Sequence, residues 1–167
     1  MPIRSWQKQR QRTIHEDDPG RPHEWSGHEL ALALARNPEI AAFARSLADG
    51  APRRDRLARL ALTFSFVSQL ALSPPPADGV RDGLDFLLAL AGEDEGPAVI
   101  LTALLLALGE RACVARAGVL AFVRVELLRE DVARLPPHAC LLRRGGRYFI
   151  PLDARRPRSP FAFLPSL

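Results

Sequence analysis

The chain has 167 residues, 47% hydrophobic and 25% charged, one domain's worth of globular sequence with enough apolar side chains to bury a core. Its formal net charge of +4 resides in residues 1–12, where Arg4, Lys8, Arg10 and Arg12 stand without an acid. The remainder is neutral and carries no basic stripe, so nucleic-acid binding is not expected. Pro97–Leu108, twelve residues, falls short of the roughly eighteen of a membrane span, and the N-terminus lacks a signal-type apolar segment. Two cysteines, Cys113 and Cys140, make no disulfide framework, which leaves the cytoplasm as the expected compartment.

Residues 1–25 read as a basic, polar arm with Trp6 and Trp25 as its strong apolar anchors. Ser26-Gly-His-Glu29 has capping-box spacing and predicts a helix to about Ala35. Asn37-Pro38 restarts a helix, with Asn as cap and Pro at its first position, running to Ala48. Leu57, Leu60, Phe64, Val67 and Ala71 keep helical spacing and predict a third helix over 54–71. Leu62, Phe66 and Leu70 make it apolar nearly all round, which predicts deep burial.

Ser73-Pro-Pro-Pro76 interrupts regular structure, and helices are predicted over Val80–Leu90 and Ala98–Leu108. After Gly109 the period changes from helical to alternating. Ala112–Ala117 and Val119–Leu127 predict strands, the second presenting Val119, Ala121, Val123, Val125 and Leu127 on one face. Ala139–Arg143 and Arg147–Leu152 predict a hairpin across Arg144-Gly145-Gly146. N-terminal helices packed on a C-terminal antiparallel β-sheet make an α+β fold, with a domain over 26–156 and an apolar tail over 157–167.

The segment Gly92-Glu-Asp-Glu-Gly-Pro-Ala98, opening an apolar helix that closes at Ala107-Leu-Gly109, resembles the nucleophile turn of the transglutaminase-like (papain-like cysteine) superfamily. Asn37–Gly50 is similar to the helix that opens that family's core, and Arg56–Leu70 to the one before its Pro-rich loop. His138-Ala139-Cys140, then Gly145-Gly-Arg-Tyr-Phe149 and Pro151-Leu-Asp153, resembles the later strands, with fifteen residues from His138 to Asp153. The resemblance spans about 37–155 and implies a transglutaminase-like core. It implies His138 as general base, Asp153 as the group that orients it, and Asp94 in the slot of the nucleophilic Cys. An alternative alignment puts the His slot at Leu120.

An ionised carboxylate attacks amides poorly, so the family's chemistry is not expected to transfer. Asp94 also reads as an N-cap whose charge complements the helix dipole. The expected function is therefore a catalytically inactive domain that binds a protein partner or a second copy, with no cofactor and no metal. The tail residues Phe161 and Phe163, together with Trp6, Arg10 and Arg12 of the arm, are the partner-binding candidates. The arm's other readings are a solvated terminus or a contact with nucleic acid or an anionic membrane. The tail also reads as packing on its own domain.

Two enzymatic alternatives stay open. Asp94, His138 and Asp153 could together hold a divalent metal for a hydrolase. Cys140, two residues beyond His138 and on the same face of a strand, could substitute for the missing thiol. Against the second, both cysteines read as buried core residues. His23 and His28 are one residue too far apart for the helical zinc-protease pair.

Overall fold

The computed structural model of the chain describes residues 26–117, 120–137 and 139–155. The first four described helices begin where short polar side chains can satisfy the free amides of a first turn. For α1, Gly27–Ala35, the Ser26 hydroxyl accepts from the Glu29 amide and the Glu29 carboxylate accepts from the Ser26 amide. For α2, Pro38–Ala48, the Asn37 Oδ1 accepts from the amides of Glu39 and Ile40.

Asp55 caps α3, Arg56–Leu72, through the Ala58 amide, so this helix starts two residues later than its apolar spacing predicts. Asp82 caps α4, Gly83–Ala91, through the Asp85 amide, which leaves Val80 and Arg81 outside the predicted helix. Helix α5 runs Gly96–Ala107.

Strands β1, Ala112–Ala117, and β2, Leu120–Leu127, pair antiparallel. A short helix, α6, Arg129–Arg134, follows; nothing in the hydrophobic period announces it. Strands β3, Leu142–Arg144, and β4, Arg147–Leu152, form the hairpin, with Gly145 and Gly146 at positive φ in its turn. That backbone needs glycine. The sheet is antiparallel throughout, in the order β1-β2-β4-β3, and the fold is α+β.

Deep burial belongs to α5 rather than α3. Every residue from Gly96 to Leu105 is buried, and α5 touches α1, α2, α3, α4, β1 and β2. It is apolar all round because it has no solvent side. On α3, by contrast, Leu57, Leu60, Phe64, Val67 and Leu70 are buried, while Leu62 and Phe66 are half-buried and Leu72 is 67% exposed. Phe66 reaches sideways to Phe43 of α2, with ring centroids 5.0 Å apart.

Of the predicted face of β2, Val123, Val125 and Leu127 join the helical core with Ile150 and Leu152 of β4, Ala121 packs against it, and Val119 lies outside the described residues. Cys113 and Cys140 are free and half-buried, not core residues as their surroundings in sequence suggest. Among the described residues, no helix is long and apolar enough to cross a membrane.

An ionic knot fastens the far end of α3 to the sheet. The Arg56 guanidinium donates from Nε to Glu110 Oε2 (2.7 Å), from Nη1 to Asp131 of α6, and from Nη2 to the Glu126 carbonyl (2.7 Å). Burial disfavours its charge, but the two carboxylates outweigh that and hold its pKa above the usual arginine value. This is what α6 is for: it delivers the buried Asp131 to Arg56.

Candidate functional site: the acidic turn before the buried helix

The chain reverses between α4 and α5 within a few residues. Gly92 closes α4 by donating to Leu88 and Leu90 carbonyls, the Glu93 amide donates to Leu90 (3.0 Å), and the Gly96 amide to Glu93 (3.1 Å). The reversal is so tight that a Cβ on Gly96 would fall onto the Leu90 carbonyl, 2.6 Å from its carbon. Only glycine fits there. The second glycine of the motif, Gly96, is thus a packing requirement of the corner.

Asp94 stands at the apex, with its side chain fully in solvent. It does not cap the helix. The N-cap is Glu95, one residue later, and Glu95 makes no side-chain cap bond either. The Glu95 carboxylate turns instead to Arg116 of β1 and lies over the start of α1, where a Cβ on Gly27 would sit 2.8 Å from its Oε2. It is half-buried, whereas Glu93 and Asp94 are exposed.

On the other side, Arg155 braces the turn. Its Nη2 donates to the Glu93 carbonyl, its Nη1 approaches Asp94 Oδ1 at 4.0 Å, and its own amide donates to Asp153 Oδ1 at 3.0 Å. Asp153 is buried at the exit of β4.

The structure therefore brings two of the three resemblance positions to neighbouring loops. Arg155 links the turn of Asp94 to the loop of Asp153. His138 lies outside the described residues, as do Trp6, Arg10, Arg12, Phe161 and Phe163. Among the described residues, no group of three His, Cys, Asp or Glu side chains is placed to hold a metal ion.

No family model, curated protein or solved structure matches this chain. The geometry must then speak for itself. A braced acidic turn at the head of the buried helix offers the exposed Asp94 carboxylate near Arg155, with Glu95 beside it paired to Arg116. Such a set can bind or be bound by charge, and it presents no nucleophile among the described side chains of the turn.

Sequence reasoning missed Arg116 and Arg155. Both were visible only as two of many arginines, because a partner 21 positions away, or 62, leaves no local pattern. Gly27 and Gly96 were also missed as packing residues.

Proposed function

We propose that this chain is a catalytically lapsed domain of transglutaminase-like type that serves as a protein-binding component of a cytoplasmic assembly. The observation that carries the reading is the meeting of the α4–α5 turn with the exit of β4. There Arg155 joins the slot of the missing thiol, Asp94, to the position of the orienting acid, Asp153. That juxtaposition is what the resemblance requires of a shared site. A carboxylate standing free in solvent supports loss of the family's acyl chemistry, since it offers neither a thiolate nor a shielded pocket.

With the turn spent on bracing, binding falls to surfaces away from it. Trp6 with Arg10 and Arg12 combines an aromatic anchor and a basic run, a pairing suited to an acidic partner surface.

The test is isolation of the tagged full chain from its host, with mass spectrometry and metal analysis on one eluate. A stoichiometric protein partner, lost when Trp6, Arg10 and Arg12 are changed to Ala, is expected. Stoichiometric divalent metal that disappears on His138→Ala would overturn the reading and make Asp94, His138 and Asp153 ligands of a working hydrolase.

A further inference from the structure

The sheet ends in β3 on one side and β1 on the other, and the two edges are built differently. Strand β3 has three residues, of which Arg143 and Arg144 are exposed. A short, charged edge discourages the addition of another strand. Strand β1 has six residues, Ala112–Ala117, paired to β2 without a bulge and containing neither proline nor lysine. It carries none of the devices that close an edge.

Hydrogen-bond parity fixes which groups β1 leaves over. The Glu126 amide donates to the Arg111 carbonyl (2.9 Å), so these two residues form a hydrogen-bonded pair. Alternation then makes Cys113 with Arg124, Ala115 with Phe122 and Ala117 with Leu120 the bonded pairs on the β2 side. The amides and carbonyls of Ala112, Val114 and Arg116 turn away from β2, and among the described residues they have no hydrogen-bond partner. Helix α1 reaches β1 from the helical face instead: a Cβ on Gly27 would lie 3.5 Å from the Val114 Cγ1.

This edge is its own complement. Ala112, Val114 and Arg116 are evenly spaced about Val114. A second copy turned about a two-fold axis at Val114 sets Val114 opposite Val114 and Ala112 opposite Arg116, and about six hydrogen bonds close between the strands. A slip of one residue puts the outward groups of one strand opposite the inward groups of the other. A slip of two restores the parity but carries Ala112 or Arg116 past the end of the facing strand. In the centred register each arginine meets an alanine, Arg116 opposite Ala112 and Arg111 opposite Ala117, so no like charges face each other.

We propose that the chain is a homodimer joined antiparallel through β1, centred on Val114, so that two four-stranded sheets run on as one. This does not rest on the lapsed-enzyme reading, and the two fail separately. It assigns β1 to a second copy and leaves Trp6, Arg10 and Arg12 to a different partner.

Light scattering on the full chain should give twice the monomer mass. Register is read with Ala115→Cys in a Cys140→Ser background. The pairing sets position 115 opposite Cys113 of the other copy in a non-hydrogen-bonded pair, with Cα atoms about 4.5 Å apart and within disulfide reach. Mild oxidation with copper phenanthroline should convert most of the chain to a covalent dimer, and mass spectrometry should find peptides bridged between positions 113 and 115. Ala117→Cys, placed opposite Arg111, should give several-fold less of the dimer. Val114→Pro removes an outward amide and no bond to β2, so it should halve the mass while circular dichroism is retained. If the proline variant unfolds, the cross-link decides. A monomeric unaltered chain would overturn the proposal, as would a dimer in which Ala115→Cys does not bridge to Cys113.

Discussion

Gly27 and Gly96 both lie against the acidic turn, yet they should respond differently to the same change. At Gly96 an added Cβ meets the Leu90 backbone, which cannot move without unravelling the end of α4. Gly96→Ala is expected to cost at least about 3 kcal/mol by chemical denaturation. At Gly27 the obstacle is the end of the Glu95 side chain, which can swing toward Arg116. Since alanine also favours the helix, Gly27→Ala should stay within about 1 kcal/mol of the parent.

Asp55 makes a separate prediction in pH. The Ala58 amide that it caps holds its pKa below the ordinary 3.8, against an opposing effect of burial that Arg134 helps to offset. A carboxylate with a lowered folded pKa adds stability above its unfolded value and loses it as pH falls through the folded one. Asp55→Asn keeps a capping oxygen without the charge. The parent should therefore melt higher than this variant at neutral pH, with the gap closing as pH drops below 3.8 and narrowing in high salt.

Among the elements, α3 and α6 depend on each other through Arg56. Its partners Glu110 and Asp131 are only 9% and 5% exposed, so removing the cation strands two shielded carboxylates. Arg56→Met should cost about 3 kcal/mol or more, measured by urea denaturation. Adding Glu110→Gln and Asp131→Leu should recover much of that loss, because the penalty comes from unpaired charge rather than lost packing.

Elements with strong local signals were readable from the chain: α1 and α2 from their caps, and β1, β2 and β4 from alternation and the Gly-Gly turn. The starts of α3 and α4 were misplaced because Asp55 and Asp82 spend themselves as caps and leave Arg54, and Val80 with Arg81, outside the helices. Helix α6 was unreadable. Six residues are too few for a 3.6-residue period to declare itself, and its role rests on an ion pair 75 residues away.

At the scale of the whole molecule, one apolar helix, α5, organises everything else, with four helices around it and the sheet against it. The order of helices then sheet was legible because composition and period shift together at Gly109. Which of the similar helices takes the centre was not: α3 and α5 are both apolar nearly all round, and only the tertiary neighbours decide. The candidate site was legible only as a pair of acidic positions, Asp94 and Asp153; the arginine that joins their loops and the exposed posture of Asp94 come from packing.

The measurement that bears most directly on the lapsed-enzyme reading is the pH profile of alkylation in Asp94→Cys, with and without His138→Ala. Exposure alone makes any thiol at this apex reachable, so the rate at one pH decides nothing. A thiol in the family's nucleophile slot should ionise below the ordinary cysteine value of about 8.5, despite Glu93 and Glu95 beside it, and removing His138 should move that midpoint upward. A midpoint at the ordinary value, indifferent to His138, would contradict the account: the turn would then be an acidic corner with no lost chemistry behind it.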